Sequence, residues 1–160
     1  MKIEWKKITL EDKMLLEPYY QYEQSSSCEV SFANNLLWAP FYEVEYAMIE
    51  EMAVFMSKRN GYSVCMPMAK SDVTAAKLEK VILQLEEYFN QMGQQFHMHL
   101  VTKEKFELLE NIFPGKYEIE FDRDVADYVY EVEKMISLYE KDQKAEMKEL
   151  LLKYIGIQAE

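Results

Sequence analysis

Three consecutive runs of period-two alternation lie between Val44 and Met68, and they restrict the fold more than any other feature of the chain. Val44, Tyr46 and Met48 alternate with Glu45, Ala47 and Ile49; Met52, Val54 and Met56 alternate with Ala53, Phe55 and Ser57; Tyr62, Val64, Met66 and Met68 repeat the pattern. Successive side chains of a strand point to opposite faces, so such runs predict half-buried strands. Asn60-Gly61 predicts a hairpin between the second and third, because both residues tolerate positive φ. Strands joined by connections this short must pair antiparallel.

Beyond Pro67 the period changes. Leu78, Val81, Ile82, Leu85, Phe89 and Met92 fall on one face of a helix predicted over 71–92 and stopped by Gly93. Phe96, Met98 and Leu100 alternate again. A meander followed by a strand–helix–strand crossover predicts a mixed, mostly antiparallel α/β sheet with helices on both faces. Upstream, Ile3, Trp5 and Ile8 predict a short strand, and Thr9 with Asp12 approximates a capping box for a helix over 10–22, with a kink or restart at Pro18. Phe32, Asn35, Leu36, Trp38 and Ala39 predict a second helix ended by Pro40. Downstream, Thr102 caps a helix presenting Phe106, Leu109 and Phe113, ended by Pro114-Gly115, and Tyr117, Ile119 and Phe121 alternate as a strand.

With 160 residues, 49% of them apolar, the chain is long enough to bury a core without a metal or disulfide. A net charge of −11 repels polyphosphate and anionic lipid, and no basic cluster offsets it, so a nucleic-acid partner is not expected. No apolar run is long enough to span or enter a membrane, and Met1-Lys2-Ile3-Glu4-Trp5 is not a signal peptide, so a cytoplasmic protein is expected. Cys28 and Cys65 lack the spacing of a zinc or redox pair and read as reduced thiols.

The element order, strand, two helices, three antiparallel strands, helix, strand, helix, strand, resembles the GNAT acyltransferase fold. Ser31-Phe-Ala-Asn-Asn-Leu-Leu-Trp38 and Arg123-Asp-Val-Ala-Asp-Tyr-Val-Tyr130 resemble two signatures of a bacterial domain-of-unknown-function family related to the C-terminal domain of phosphatidylglycerol lysyltransferases. That family's fold is a tandem pair of GNAT-like halves, and this chain resembles the first. The resemblance implies a GNAT-like domain over 1–138 followed by a helical tail over 139–160. It also implies a choice between a non-catalytic or incomplete module acting as a structural or binding half and an acyl or aminoacyl transferase using coenzyme A or aminoacyl-tRNA. The implied partner is a second GNAT-like half or another copy of the chain.

In active GNAT enzymes a Gly-rich turn after the central strand offers backbone N–H groups to the pyrophosphate of coenzyme A. Here that turn reads Met66-Pro67-Met68-Ala69-Lys70-Ser71-Asp72-Val73, without glycine and with a carboxylate, which leaves Lys70 and Ser71 as the side chains able to meet a cofactor. No cofactor is expected outside the transferase alternative. The resemblance further marks Arg123, Asp124, Asp127, Tyr128 and Tyr130 as candidates for a groove between two halves; the residues alone read as an Arg–Asp turn with tyrosines packed along a strand.

The remaining candidates have plain structural readings. His97 and His99 share a strand face, as metal ligands can, yet no third ligand is apparent and no metal site is expected. Glu50-Glu51 reads as a solvated turn and Glu86-Glu87 as the polar side of a helix, neither with the burial a general base needs. Trp38, Phe41, Tyr42 and Tyr46 read as core aromatics. Glu131 to Ile155 is helix-forming, and Leu150, Leu151, Leu152, Tyr154 and Ile155 exceed what one helix face hides against its own domain, so an interface with a partner or second copy is expected there.

Overall fold

The computed structural model describes residues 2–120 apart from 24, 26 and 60. These residues belong to one compact unit, Met1–Phe121. Its centre is a five-stranded sheet in sequence order: β1 (Lys6–Lys7), β2 (Glu45–Ile49), β3 (Met52–Ser57), β4 (Ser63–Cys65) and β5 (Met98–His99). The first four pair antiparallel and β5 joins β4 in parallel, so the expected mixed, mostly antiparallel sheet is present.

Alternation along the strands divides the interior into two layers, and β3, expected to be half-buried, is buried on both faces from Met52 to Met56 because helices cover both sides of it. Ala47, Ile49, Met52, Val54, Met56 and Val64 face α3 (Ala75–Gln91) and α4 (Lys103–Ile112). Tyr46, Ala53, Phe55 and Cys65 face α1 (Lys13–Glu23) and α2 (Phe32–Tyr42). On α3, Leu78, Val81, Ile82, Leu85 and Phe89 are all buried, at the predicted spacing. Each such side chain removed from water contributes about 1.5–3 kcal/mol, which is why this helix anchors its layer. Thr74, not Ser71, starts α3: its hydroxyl accepts from Lys77 N at 3.3 Å, leaving 71–74 as connection.

Turns depart from the predicted pattern in an informative way. The tight two-residue turn is Glu50-Glu51, with Ile49 paired to Met52 and positive φ at both glutamates, 48° and 62°. Non-glycine residues hold that conformation at a cost of about 1–2 kcal/mol each. Here α3 secures them: Lys80 Nζ and Gln84 Nε2 reach Glu50 at 2.8 and 3.3 Å, and Lys77 Nζ reaches Glu51 at 2.7 Å. The hairpin between β3 and β4 is present, but Ser57 pairs with Ser63 across a loop over 58–62, not a two-residue Asn-Gly turn.

Neither proline ends its helix. Pro18 lies inside α1 and Pro40 inside α2, which closes only at Glu43, in the left-handed region with φ 53°. Each helix continues because a proline removes one N–H while its fixed φ remains helical. Tyr117–Glu120 form no strand among the described residues; Tyr117 instead stacks on Phe113 and Phe96 and donates to Glu86 at 2.7 Å. Phe121, the 123–130 motif and the apolar stripe of the tail lie outside the described residues. No described helix is long and apolar enough to cross a membrane.

Candidate functional site

Three places hold the chemistry-bearing side chains: the connection from β4 to α3, the seam between β4 and β5, and the outer face of α2.

The β4–α3 connection is where the resemblance to acyltransferases places a phosphate. Met66 to Ala69 are buried. At Met68 the backbone is already engaged, since its N–H donates to Ala53 O at 2.9 Å and Ala53 N–H donates to Met68 O at 2.8 Å. At the helix start Lys77 N–H is taken by Thr74. Lys70 Nζ lies 5.7 Å over the ring of Tyr19, Ser71 is exposed, and Asp72 accepts a short hydrogen bond from Tyr22 Oη. Lys77 is paired with Glu51. A phosphate arriving here meets the Asp72 carboxylate and an ion-paired Lys77, against about 1 kcal/mol of helix-dipole attraction.

At the seam, parallel pairing brings together two residues separated by the whole α3 crossover. Cys65 and His99 are register partners, with Sγ 3.3 Å from Nε2. Burial pushes the Cys65 thiol up to about 12, with Glu29's charge adding to it. Burial, with His97 adding to it, pushes His99 below its usual value. Both groups are therefore neutral at pH 7, and the contact joins an uncharged thiol to an uncharged imidazole. His99 Nδ1 and the buried Tyr20 hydroxyl have no partner among the described residues. A thiol held this high is a poor nucleophile at pH 7, and the contact bridges two paired strands. Cys28 is exposed and free. The sequence offered no signal for this pairing, because nothing local in it sets a parallel register.

The other sequence candidates are dispersed. His97 is exposed, and among the described residues no three His, Cys, Asp or Glu are grouped to hold a metal. Glu86 accepts from Lys116 and Tyr117, and Glu87 from Gln91, each at 2.7 Å. Arg123, Asp124, Asp127, Tyr128 and Tyr130 lie outside the described residues. A surface groove of about 440 Å³ runs along the outer side of α3, lined by Ile3, Lys80, Leu83, Gln84 and Glu87; of the candidates it includes Glu87 alone.

The outer face of α2 departs from expectation. Tyr46 is in the core at 2% exposure, but Trp38, Phe41 and Tyr42 are 49%, 47% and 43% exposed and Leu37 is 77% exposed. Their rings pack on one another, with centroids 4.8 Å apart for Phe41–Tyr42 and 6.0 Å for Trp38–Phe41. The start of α2 accounts for the polar part of the Ser31–Trp38 motif. Ser31 Oγ accepts from Asn34 N at 3.2 Å, and Asn34 and Asn35 donate to Glu29's carboxylate and carbonyl at 3.2 and 2.7 Å.

No protein-family model matches the chain, and no curated protein matches it. Among solved structures it is similar to a conserved protein of unknown function from Bacteroides thetaiotaomicron VPI-5482, with a TM-score of 0.71 and 27% identity over 81% of this chain. The similarity covers 42% of that protein, so this chain spans less than half the length of its solved neighbour.

Proposed function

We propose that this chain is a GNAT-like module of the lysyltransferase-related family that serves as a structural or binding half and does not itself catalyse acyl transfer. The strand order supports the GNAT-like reading: four antiparallel strands, then a helix crossover into a parallel fifth. The observation that carries the non-catalytic reading is the β4–α3 connection. Its Met68 amide is bonded to Ala53, and Asp72 stands where an anionic donor must approach. The neutral Cys65–His99 pair supplies no alternative nucleophile. A bare apolar helix face suits a module that works through a partner.

Thermal unfolding with and without acetyl-coenzyme A tests this. A donor site would raise stability by RT ln(1 + [L]/Kd), about 2.7 kcal/mol at a hundredfold excess over Kd. No shift is expected at millimolar ligand. A clear shift, abolished by Lys70→Ala with Ser71→Ala, would establish the transferase reading instead.

A further inference from the structure

The strongest unassigned feature is α2 itself. From Phe32 to Tyr42 it carries no charged residue, yet only Phe32 and Ala39 are fully buried. A helix apolar on all sides is normally enclosed. Here one stripe faces outward, running from Asn34 through Leu37 and Trp38 to Phe41, with the acid Glu29 at its N-terminal end and the base Arg59 over the ring at its C-terminal end, where the exposed Glu43 also closes the helix. At the N-terminal end the exposed Glu29 carboxylate sits on the Asn34 amide at 3.2 Å. At the C-terminal end the exposed Arg59 guanidinium lies 3.8 Å over the Phe41 ring and donates to Phe41 O at 2.8 Å. Arg59 has no carboxylate partner among the described residues. The loop holding it is tied to the helix end, since Lys58 N, Arg59 N and Ser57 Oγ all donate to Tyr42 O.

We infer that this stripe is a two-fold interface with a second copy of the chain. A two-fold contact must be complementary to itself. An acid at one end, a base at the other and apolar side chains between meet that condition when two α2 helices cross antiparallel. Asn34 and Phe41 are about 10 Å apart along the axis at 1.5 Å per residue. The midpoint falls between Leu37 and Trp38, so those two side chains straddle the axis and each Arg59 meets the other copy's Glu29. The helix dipoles also oppose favourably. The exposed parts of Leu37 and the aromatic trio offer about 400–500 Å² per copy, given about 150–250 Å² for a whole aromatic side chain. A standard interface buries about 800 Å² per partner, so this smaller patch places the dimer in the weak class. Repulsion between two chains of charge −11 is screened beyond about 8 Å at 0.15 M salt, whereas the end pairs are in contact.

This deepens the binding-half reading and rests on it, naming the partner as a second copy. The test is sedimentation equilibrium of the full chain from about 5 to 500 μM in 0.15 M salt. Wild type should associate to a dimer. Leu37→Glu should abolish it, Arg59→Glu and Glu29→Arg should each weaken it at least tenfold, and the double charge reversal should restore it to within about threefold. A monomer throughout would overturn the proposal, and so would a dimer indifferent to Leu37→Glu, which is held by another surface. If Leu37→Glu fails to fold, failure of the double reversal to recover association overturns it equally. A monomer that also ignores acetyl-coenzyme A removes the self-pairing and leaves the binding-half reading intact.

Discussion

Helices α2 and α3 flank the same sheet and are built on opposite plans. On α3 five large apolar residues point inward, and the outward side carries lysines and glutamates that pair with the Glu50-Glu51 turn and with Lys116. On α2 two residues point fully inward and the outward side is Leu37, Trp38, Phe41 and Tyr42. A helix that only completes a core needs a wet face; α3 has one and α2 does not. The difference separates a helix that completes a core from one that leaves an apolar face in the open.

Substitutions along the two helices sharpen this contrast. Leu85→Ala on α3, at 0% exposure, should cost about 2–5 kcal/mol in urea unfolding, whereas Leu37→Ala on α2 should change the stability of the dilute protein by less than about 0.5 kcal/mol. Equal losses would mean that α2 is enclosed. Next in size, Thr74→Ala removes the α3 cap and should cost about 1 kcal/mol by the same measurement, with no effect on self-association.

The smallest expected effect is pH-dependent. His99 is held below its usual value by burial, so the unfolded chain takes up a proton first as pH falls. The contribution of His99 to stability is therefore complete above about pH 6.5 and is lost progressively as pH drops toward the lowered folded value. His99→Gln should flatten the stability curve in that window, read from urea unfolding at about pH 5 to 8. An unaltered slope in His99→Gln would place the acid sensitivity elsewhere.

What the sequence disclosed follows from periodicity. Alternation from Tyr46 to Met56 and the 3.6-residue spacing from Leu78 to Phe89 each report a side chain's own face, and both survive in the structure. Proline reads as a stop from local sterics, yet Pro40 is absorbed because α2 is held at both ends, by Ser31 and by Glu43. The Cys65–His99 contact depends on parallel register across α3, which no local pattern encodes. The exposure of Trp38, Phe41 and Tyr42 ran against the general tendency of aromatics to be buried. The clue was the missing charge between Phe32 and Tyr42, which leaves this helix without the charged outer side that α3 has.

The open face of α2 is tested most directly by the emission of Trp38 alone, in a Trp5→Phe variant, followed from about 1 to 500 μM. Trp38 at 49% exposure predicts red-shifted, readily quenched emission in dilute solution, moving to the blue and becoming protected from iodide as concentration rises. Emission that is blue and protected at every concentration would mean the chain covers this face itself, and would contradict the account.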